Sequence, residues 1–418
     1  MSFDPKTARG FFPGFSIGPM SEKEGLLMLE NAGGTLPPKF VISRMMHQLT
    51  HDHVNIGNPS RPSKSAENTL IEARKIMEII LNATPQGRIL FGPSCTALIY
   101  SMVNVISKQM IKGDEVVLFT ATHEANVSPW LHMGETGVKI VEWNLTGDND
   151  YCCITELQKL LTSKTRYVVL PHASNMTGAV SDLSAVIKCV RENSPNARVF
   201  VDGVAYAPHK LVDTALLDVD FYVVSTHKMY GPHFACMYAK HTAIDELPRI
   251  GLVNLPANSP AHFEYGTLQI EGLAGIIGMK ELFNSLEGIP PDSELTRETL
   301  KSMFDKITIH ELALEKILMT FLNSNPNYMI YSLANSNNRR IPIVCFRHKY
   351  VSPKRLSEKI NELKIILKSG DFCCTRLLDQ MKLKVDDGLV RASFAMYNTV
   401  EDAQHLCSIL KQIDSVPF

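Results

Sequence analysis

The sequence predicts an α/β protein: a mostly parallel sheet in a large domain, followed by a smaller α+β C-terminal domain. Two observations support this prediction. Short β-rich runs alternate with helix-period segments through the middle of the chain, which is typical of parallel strands covered by helices on both faces. The chain also has 418 residues, whereas a single hydrophobic core stops growing at roughly 250–300 residues.

The predicted strands are short runs rich in β-branched and aromatic residues, which favour extended backbone. They cover residues 116–119, 139–143, 167–170, 199–201, 221–224 and 235–238. The predicted helices show apolar residues at helical spacing and cover residues 66–81, 97–110, 154–161 and 183–190. A turn is expected at 91–94, directly before the second of these helices, and a loop at 55–65.

The alternating pattern of predicted strands and helices changes near Ile289, Pro290 and Pro291. Beyond that point we expect an edge strand at 341–346 and helices at 353–363 and 400–413. The predicted large domain therefore spans residues 21–288, and the small domain spans residues 1–20 together with 289–418.

The composition excludes two classes of partner. The 42 basic and 43 acidic residues give a formal net charge of -1, whereas a nucleic-acid-binding protein shows a basic excess. The sequence has no run of eighteen apolar residues, the length that a membrane-spanning helix requires. We therefore expect neither nucleic acid nor a membrane as a partner.

Cysteine usage indicates the compartment. The nine cysteines are odd in number, and none are spaced as a CxxC pair, which argues against a disulfide framework or a zinc module. The first twenty residues also lack the apolar core of a signal peptide. We therefore expect a cytoplasmic protein in a reducing environment, without a bound metal.

Four polar residues follow four different predicted strands: His123, Asn175, Asp202 and Lys228. Each has an ordinary structural explanation by itself, as a helix cap, a buried histidine with a partner or a solvated lysine. The carboxyl ends of parallel strands meet at one edge of a sheet, where ligands bind in this class of fold. Together the four residues therefore predict one convergent site.

The residue types favour one cofactor. A lysine whose amine is desolvated forms Schiff bases, and a carboxylate holds a heteroaromatic nitrogen protonated, which turns the ring into an electron sink. Pyridoxal phosphate requires this pair from its protein. Its phosphate group also needs free N–H groups at a helix N-terminus, which the segment 92–96 provides before the predicted helix at 97–110.

Seven segments carry a resemblance to a known family. They are LENAGG (29–34), THEANVSPW (122–130), HASNMTGAV (172–180), VDGVAYAPH (201–209), STHKMYGPH (225–233), YGTLQIEGLAGI (265–276) and VRASFAMYNTVED (390–402). In this order they resemble the class V aminotransferases of pyridoxal-phosphate fold type I, especially the cysteine desulfurase and selenocysteine lyase branch. The resemblance covers the chain from about residue 27 to its end.

The resemblance implies a role for each residue at the cofactor ring. Lys228 would form the Schiff base and act as a catalytic residue, and Asp202 would pair with the pyridine nitrogen. His123 would stack over the ring and take part in catalysis, and Asn175 would lie near the phenolic oxygen and the substrate.

The phosphate and the substrate carboxylate have their own implied residues. The phosphate would be held by Ser94, the backbone of Cys95, Ser225 and His227. Thr267 would reach the phosphate of a neighbouring subunit, which implies a homodimer with shared active sites; the alternative is a simple turn residue. Arg391 would bind the substrate carboxylate in a bidentate manner; its alternative is a surface salt bridge.

A desulfurase also needs a thiolate on a mobile loop. The resemblance places it at Cys373, with Cys374 as its immediate neighbour. The alternative is a pair of small side chains packed at the start of a helix, since free cysteine is among the most buried residue types. Two positions depart from the family pattern: Ala205 stands where a glutamine is usual, and Ser94-Cys95 stands where two threonines are typical.

The expected function is a pyridoxal-phosphate enzyme acting on a small amino acid. Cysteine desulfuration, which yields alanine and an enzyme persulfide, is the leading reaction, with a sulfur-acceptor protein as a partner. An aminotransferase, an epimerase or a C–S lyase of the same family is the alternative. A non-catalytic scaffold or regulatory protein of the same fold is the alternative from another class.

Overall fold

The computed structural model describes residues 3–146, 151–252, 254–256, 259–332, 339–383 and 388–415. Its strands are β1 (Leu27–Met28), β2 (Gly87–Gly92), β3 (Glu115–Phe119), β4 (Lys139–Trp143), β5 (Thr165–Pro171), β6 (Arg198–Asp202), β7 (Phe221–Ser225), β8 (Ala235–Lys240), β9 (Tyr328–Ile330), β10 (Ile343–His348), β11 (Ile365–Ile366), β12 (Lys368–Gly370) and β13 (Leu389–Ser393). Its α-helices are α1 (Pro5–Arg9), α2 (Lys39–His51), α3 (Arg61–Leu81), α4 (Cys95–Ser107), α5 (Ser128–Met133), α6 (Ile154–Leu160), α7 (Leu183–Asn193), α8 (Thr214–Leu217), α9 (His241–Ile244), α10 (Ile270–Leu286), α11 (Arg297–Ser324), α12 (Pro353–Glu362), α13 (Thr375–Gln380) and α14 (Val400–Asp414).

The largest element is a seven-stranded sheet in the order β2-β8-β7-β6-β5-β3-β4. Its strands are parallel except β8, which runs antiparallel to β2 and to β7. The mostly parallel sheet and all six predicted strands are therefore confirmed.

Strand β2 was not predicted from the sequence, and a turn was expected at 91–94 instead. The glycines at the two ends of β2 allow the strand to pack closely against neighbouring side chains. A Cβ atom on Gly92 would lie 2.6 Å from Leu98 Cγ, and one on Gly87 would lie 2.4 Å from Tyr238 Cε2. The strand therefore needs glycines at both ends, which weaken its β signature in the sequence.

Both faces of the large sheet are covered by apolar side chains. Along β3, Val117 and Phe119 join one hydrophobic cluster, and Val116 and Leu118 join the other. Successive side chains of a strand point to opposite faces, so the two clusters lie on the two sides of the sheet. This burial explains why the central strands read as continuous apolar runs.

Two helices start earlier than the sequence predicts. Helix α4 begins at Cys95 because Ser94 caps it, accepting a hydrogen bond on Oγ from the Ala97 N–H at 3.1 Å. Helix α3 begins at Arg61, so the predicted loop at 55–65 is wrong over its last five residues. A proline in the first helical turn and the Ser60 cap account for this start.

A second sheet of four antiparallel strands, β12-β13-β10-β9, follows in the C-terminal part of the chain. Helices α11, α12 and α14 share a hydrophobic cluster with it. The strand expected at 341–346 is β10, but it pairs with β13 on one side and β9 on the other, so its prediction as an edge strand is wrong. The two helices expected in this region are confirmed. The division of the chain at residues 20 and 288 stays a prediction. Within the predicted small domain, Arg9 Nε donates to the Tyr397 carbonyl at 2.8 Å, which joins the N-terminal segment to the C-terminal part.

Among the helices of the described residues, none combines the length and the apolar composition needed to cross a membrane.

Candidate active site

The four polar residues expected to converge line one cavity of about 260 Å³ at the carboxyl edge of the large sheet. Asp202 is the last residue of β6. Lys228 ends a short 3₁₀ turn directly after β7, and His123 and Asn175 lie in the segments that follow β3 and β5. The N-terminus of α4 closes the cavity with Ser94, Cys95 and Thr96.

Lys228 and Asp202 lie in a poorly solvated place that disfavours the charged form of each. Burial raises the pKa of Asp202, while the Val204 N–H, which donates to its Oδ1 at 3.0 Å, and Lys228 lower it. Burial and the charge of Arg391 lower the pKa of Lys228, and Asp202 opposes this shift. The lysine amine is therefore less basic than a solvated one, as a Schiff-base lysine requires.

His123 is a neutral ring at physiological pH. Burial is the main reason that its pKa falls to about 4, and the positive charges of Lys228 and Arg391 add to this effect. Its Nδ1 accepts a hydrogen bond from the Ala125 N–H at 3.1 Å, which fixes the ring at the start of a 3₁₀ turn. A neutral, fixed imidazole suits stacking on a flat heteroaromatic ring.

The other end of the cavity offers groups for an anion. The thirteen-residue helix α4 directs its N-terminus there, and the partial positive charge of a helix N-terminus binds phosphate. The Ser225 hydroxyl lies 2.8 Å from His227 Nδ1, and both residues line the cavity. Burial raises the pKa of the Cys95 thiol, so this group stays uncharged beside the helix start.

These residues fit pyridoxal phosphate. The cavity holds a lysine of lowered basicity, a buried carboxylate, a neutral imidazole and a helix N-terminus. These are the groups that bind the aldehyde carbon, the pyridine nitrogen, the ring face and the phosphate of that cofactor.

Thr267 lies outside this cavity. It is exposed and lines a second cavity of about 320 Å³, together with Phe91, Leu98 and Tyr265. The expectation that it serves a neighbouring subunit stays a prediction.

Arg391 also lies outside the cavity lining, directly behind Asn175. Its Nη1 donates to the Asn175 carbonyl at 2.8 Å and its Nη2 donates to Glu30 Oε1 at 2.6 Å. The guanidinium carbon lies 4.1 Å from the centre of the Phe372 ring. Arg391 is only 4% exposed, so its ion pair is a buried one rather than a salt bridge at the surface.

The segment that carries Cys373 is docked on Asn175. Phe372 and Cys373 both have left-handed backbone, with φ of 52° and 56°. Asn175 Nδ2 donates to the Phe372 carbonyl at 3.1 Å, and the Cys374 thiol donates to Asn175 Oδ1 at 3.0 Å. The Glu124 N–H, next to His123, donates to the Cys373 carbonyl at 2.8 Å.

The two neighbouring cysteines differ in exposure. Cys373 is exposed, whereas Cys374 is fully buried and caps α13. Burial raises the pKa of the Cys374 thiol far above its usual range. The alternative of a packed cysteine at a helix start therefore describes Cys374, and Cys373 is the thiol that solvent reaches.

Three further contributors were not singled out from the sequence. Gly33 and Thr122 line the cavity; both belong to quoted motifs, so the resemblance held a signal for them. Glu30 lies in the quoted motif at 29–34 as well, but its pairing with Arg391 gave no signal, because the two residues are far apart in sequence and nothing local links them. Ala205, which replaces the usual glutamine, lines the cavity as well.

The chain belongs to the class-V aminotransferase family, whose model matches residues 27–406. This membership confirms the expected class, a pyridoxal-phosphate-dependent enzyme. An aminotransferase-like protein of Gibberella zeae is 29% identical over 393 residues, covering 92% of this chain and 94% of the relative. A cysteine desulfurase-like protein of Aspergillus flavus is 33% identical over 344 residues, covering 80% of this chain and 75% of the relative.

The fold is that of a solved cysteine desulfurase from Thermococcus onnurineus. The two structures have a TM-score of 0.83 at 20% sequence identity, covering 99% of this chain and 98% of the other. This likeness confirms the expected fold type I architecture.

The burial of His172 should make the free energy of unfolding depend on pH. Its Nδ1 lies 2.7 Å from the Tyr222 hydroxyl, and burial lowers its pKa from 6.5 to about 3. Folding therefore favours the neutral ring: this stabilisation is complete above pH 6.5 and is lost as the pH falls toward 3. Between pH 6.5 and pH 5 we expect His172 to remove on the order of 2 kcal/mol of the unfolding free energy.

Urea unfolding at several pH values checks this expectation. The unfolding free energy of His172→Gln should fall less steeply with acidification than that of the parent. The exposed His132→Gln change serves as the control and should leave the slope unaltered. Equal slopes for the parent and His172→Gln would contradict the prediction.

Proposed function

We propose that the protein is a cysteine desulfurase, which converts L-cysteine to L-alanine and leaves the sulfur as a persulfide on Cys373. The observation that carries this proposal is the placement of Cys373. It is an exposed thiol on a left-handed loop that is hydrogen-bonded to Asn175 in the cavity wall and to the backbone next to His123.

Pyridoxal phosphate, when bound, supplies an electron sink for the bonds around the substrate α-carbon. Lys228 would hold the cofactor covalently, and its Nζ atom would accept the α-proton of the substrate and return it. The Asp202 carboxylate would keep the pyridine nitrogen protonated, and His123 would cover the ring. Ser94, the Cys95 backbone, Ser225 and His227 would hold the phosphate, supported by the positive end of α4.

Arg391 and Asn175 orient the substrate. Arg391 binds the α-carboxylate, because a guanidinium matches a carboxylate in bidentate geometry. Its contact with the Asn175 carbonyl places it directly behind the cavity wall.

The transfer of sulfur requires only the substrate and the thiol of Cys373, with no further oxidant. The Cys373 thiolate attacks the substrate sulfur, an S–S bond forms, and the carbon–sulfur bond breaks. The electron pair of that bond stays with the substrate carbon skeleton, which takes up a proton and leaves as alanine. Cysteine and the enzyme thiol thus become alanine and an enzyme persulfide, which a reductant or an acceptor thiol removes.

The two cysteines provide the decisive experiment. Cys373→Ala should lower sulfide and alanine formation from cysteine by about 10²-fold or more, since it removes the nucleophile of the sulfur step. Cys374→Ala should keep at least about a tenth of the activity, because that thiol is buried and protonated. Purified holoenzyme is incubated with L-cysteine and a thiol reductant, and sulfide, alanine, pyruvate and ammonia are measured together.

The other family reactions give different products in the same assay. Alanine and sulfide in equal amounts support desulfuration. Pyruvate, ammonia and sulfide without alanine indicate a C–S lyase. If alanine formation is undiminished in Cys373→Ala, the assignment of Cys373 as the nucleophile is contradicted. If neither the parent nor any variant converts cysteine, the proposed function is overturned.

Three further parts of the proposal concern the assembly and its surroundings. The exposed Thr267, in a cavity separate from its own active site, suits a homodimer in which each subunit completes the phosphate site of the other. The exposed Cys373 suits transfer of sulfur to an acceptor protein. The nine cysteines suit a reducing, cytoplasmic location.

A further inference from the structure

The Glu30–Arg391 ion pair contains two unused polar atoms. Glu30 Oε1 accepts from Arg391 Nη2 at 2.6 Å. Glu30 Oε2 and Arg391 Nε are buried and have no hydrogen-bond partner among the described residues. Buried polar groups in folded proteins are almost always paired. The unpaired Arg391 Nε–H therefore points to a ligand that supplies an acceptor, such as a carboxylate.

The backbone fixes both members of the pair. Glu30 follows β1 and forms a parallel bridge with Ser393, two residues from Arg391 in β13. The Glu30 carbonyl accepts from the Gly33 N–H at 3.1 Å, and Gly33 lines the active-site cavity. The backbone of Glu30 is therefore held beside β13, which keeps its carboxylate within reach of the guanidinium.

We infer that Glu30 sets the strength with which Arg391 binds the carboxylate of an amino-acid substrate, by orienting the guanidinium and competing with the substrate for it. This inference rests on the proposed role of Arg391. It makes Glu30 a positioning residue that limits affinity, whereas the comparisons and the motifs assign it no role.

The Arg391 guanidinium has enough N–H donors for both Glu30 and a substrate carboxylate to bind it. An arginine side chain has five N–H donors; the Asn175 carbonyl takes one from Nη1 and Glu30 takes one from Nη2. A substrate carboxylate can bind bidentately to the unpaired Nε–H and the second N–H of Nη2. Two carboxylates then share one guanidinium, and their repulsion in a poorly solvated place weakens the binding of the substrate.

Glu30→Gln tests this inference, because glutamine keeps an oxygen acceptor for Nη2 but removes the charge. L-Alanine, the product of the proposed reaction, is titrated into the holoenzyme while the visible absorbance of the cofactor is followed. We expect the dissociation constant to fall by about 5–10-fold, the effect of one removed charge at close range in a partly solvated site. Without alanine, the melting temperature should fall, because the buried guanidinium loses its counter-charge.

Saturating alanine should raise the melting temperature of Glu30→Gln by more than it raises that of the parent. This second measurement does not depend on turnover. Glu281→Gln is the matched control: Glu281 Oε1 accepts from Arg44 Nε at 2.9 Å in another Arg–Glu pair, between α2 and α10. It should lower the melting temperature and leave the alanine titration unchanged.

The outcomes separate this inference from the proposed function. An unchanged or weaker alanine affinity in Glu30→Gln overturns the inference. Arg391→Gln should weaken alanine binding by at least about tenfold, since it removes a charge-assisted bidentate contact; if it does not, the proposed carboxylate site is wrong. If Glu30→Gln cannot be purified, Glu30→Asp, which withdraws the carboxylate by one methylene group, replaces it, and a gain in affinity of about twofold is expected.

Discussion

Lys228→Ala should abolish turnover of cysteine and remove the visible absorbance of the bound cofactor. Without the amine, the cofactor loses its covalent attachment, and the proton transfer at the substrate α-carbon loses its acid–base group. Positioned acid–base groups contribute about 10²–10⁴-fold, so we expect the rate to fall by at least about 10³-fold. Steady-state sulfide formation and an absorbance spectrum of the purified protein measure the two effects.

Lys159→Ala, a change of a lysine on the surface of α6, is the control for Lys228→Ala and should leave colour and rate unaltered. The same experiment also tests the alternative that the protein is a non-catalytic scaffold. A parent protein that stays colourless with added pyridoxal phosphate would contradict the assignment of the whole cavity, and a coloured, active Lys228→Ala would contradict the role of the lysine.

Asp202→Asn should lower the rate by about 10²–10³-fold, the effect of removing one preorganised electrostatic contact from an active site. The carboxylate is 8% exposed and burial raises its pKa, so a protonated pyridine nitrogen would stabilise its charged form. The asparagine cannot stabilise that positive nitrogen, and the electron sink weakens. The phosphate contacts remain, so cofactor binding should persist while kcat falls.

A second buried aspartate provides the control for Asp202. Asp220 lies immediately before β7 and pairs with Arg191 and Arg198, away from the cavity. Asp220→Asn should reduce thermal stability with kcat retained. The opposite pattern, a stable Asp202→Asn with full kcat, would show that the pyridine nitrogen has another partner.

The sequence was sufficient for the large sheet and for the centre of the site. Central parallel strands are buried on both faces, so their apolar runs stand out, and the residues that follow them fall at one edge of the sheet whatever the details of packing. His123, Asn175, Asp202 and Lys228 could therefore be brought together without coordinates. Strand β2 could not be predicted, because its glycines are required for close packing against Leu98 and Tyr238 and do not favour a strand in the sequence pattern.

Contacts between distant segments were beyond the reach of the sequence. The pairing of Glu30 with Arg391 depends on the register between the segment after β1 and β13, which no local pattern encodes. The resemblance named Cys373 and Cys374 together, but only the packing of the loop shows that one is exposed and the other buried. Side-chain burial on a loop depends on what lies underneath it, here Asn175.

The hydrogen bonds between Asn175 and the Cys373 loop link that loop to the active-site cavity. A ligand that took over the Asn175 N–H and oxygen sites now used by the Phe372 carbonyl and the Cys374 thiol would compete with the loop, so filling the site and releasing the loop would then be one equilibrium. Thermodynamic linkage would make this coupling reciprocal. A protein that bound Cys373 and drew the loop outward would raise the affinity for the amino acid by the same factor by which the amino acid freed the loop.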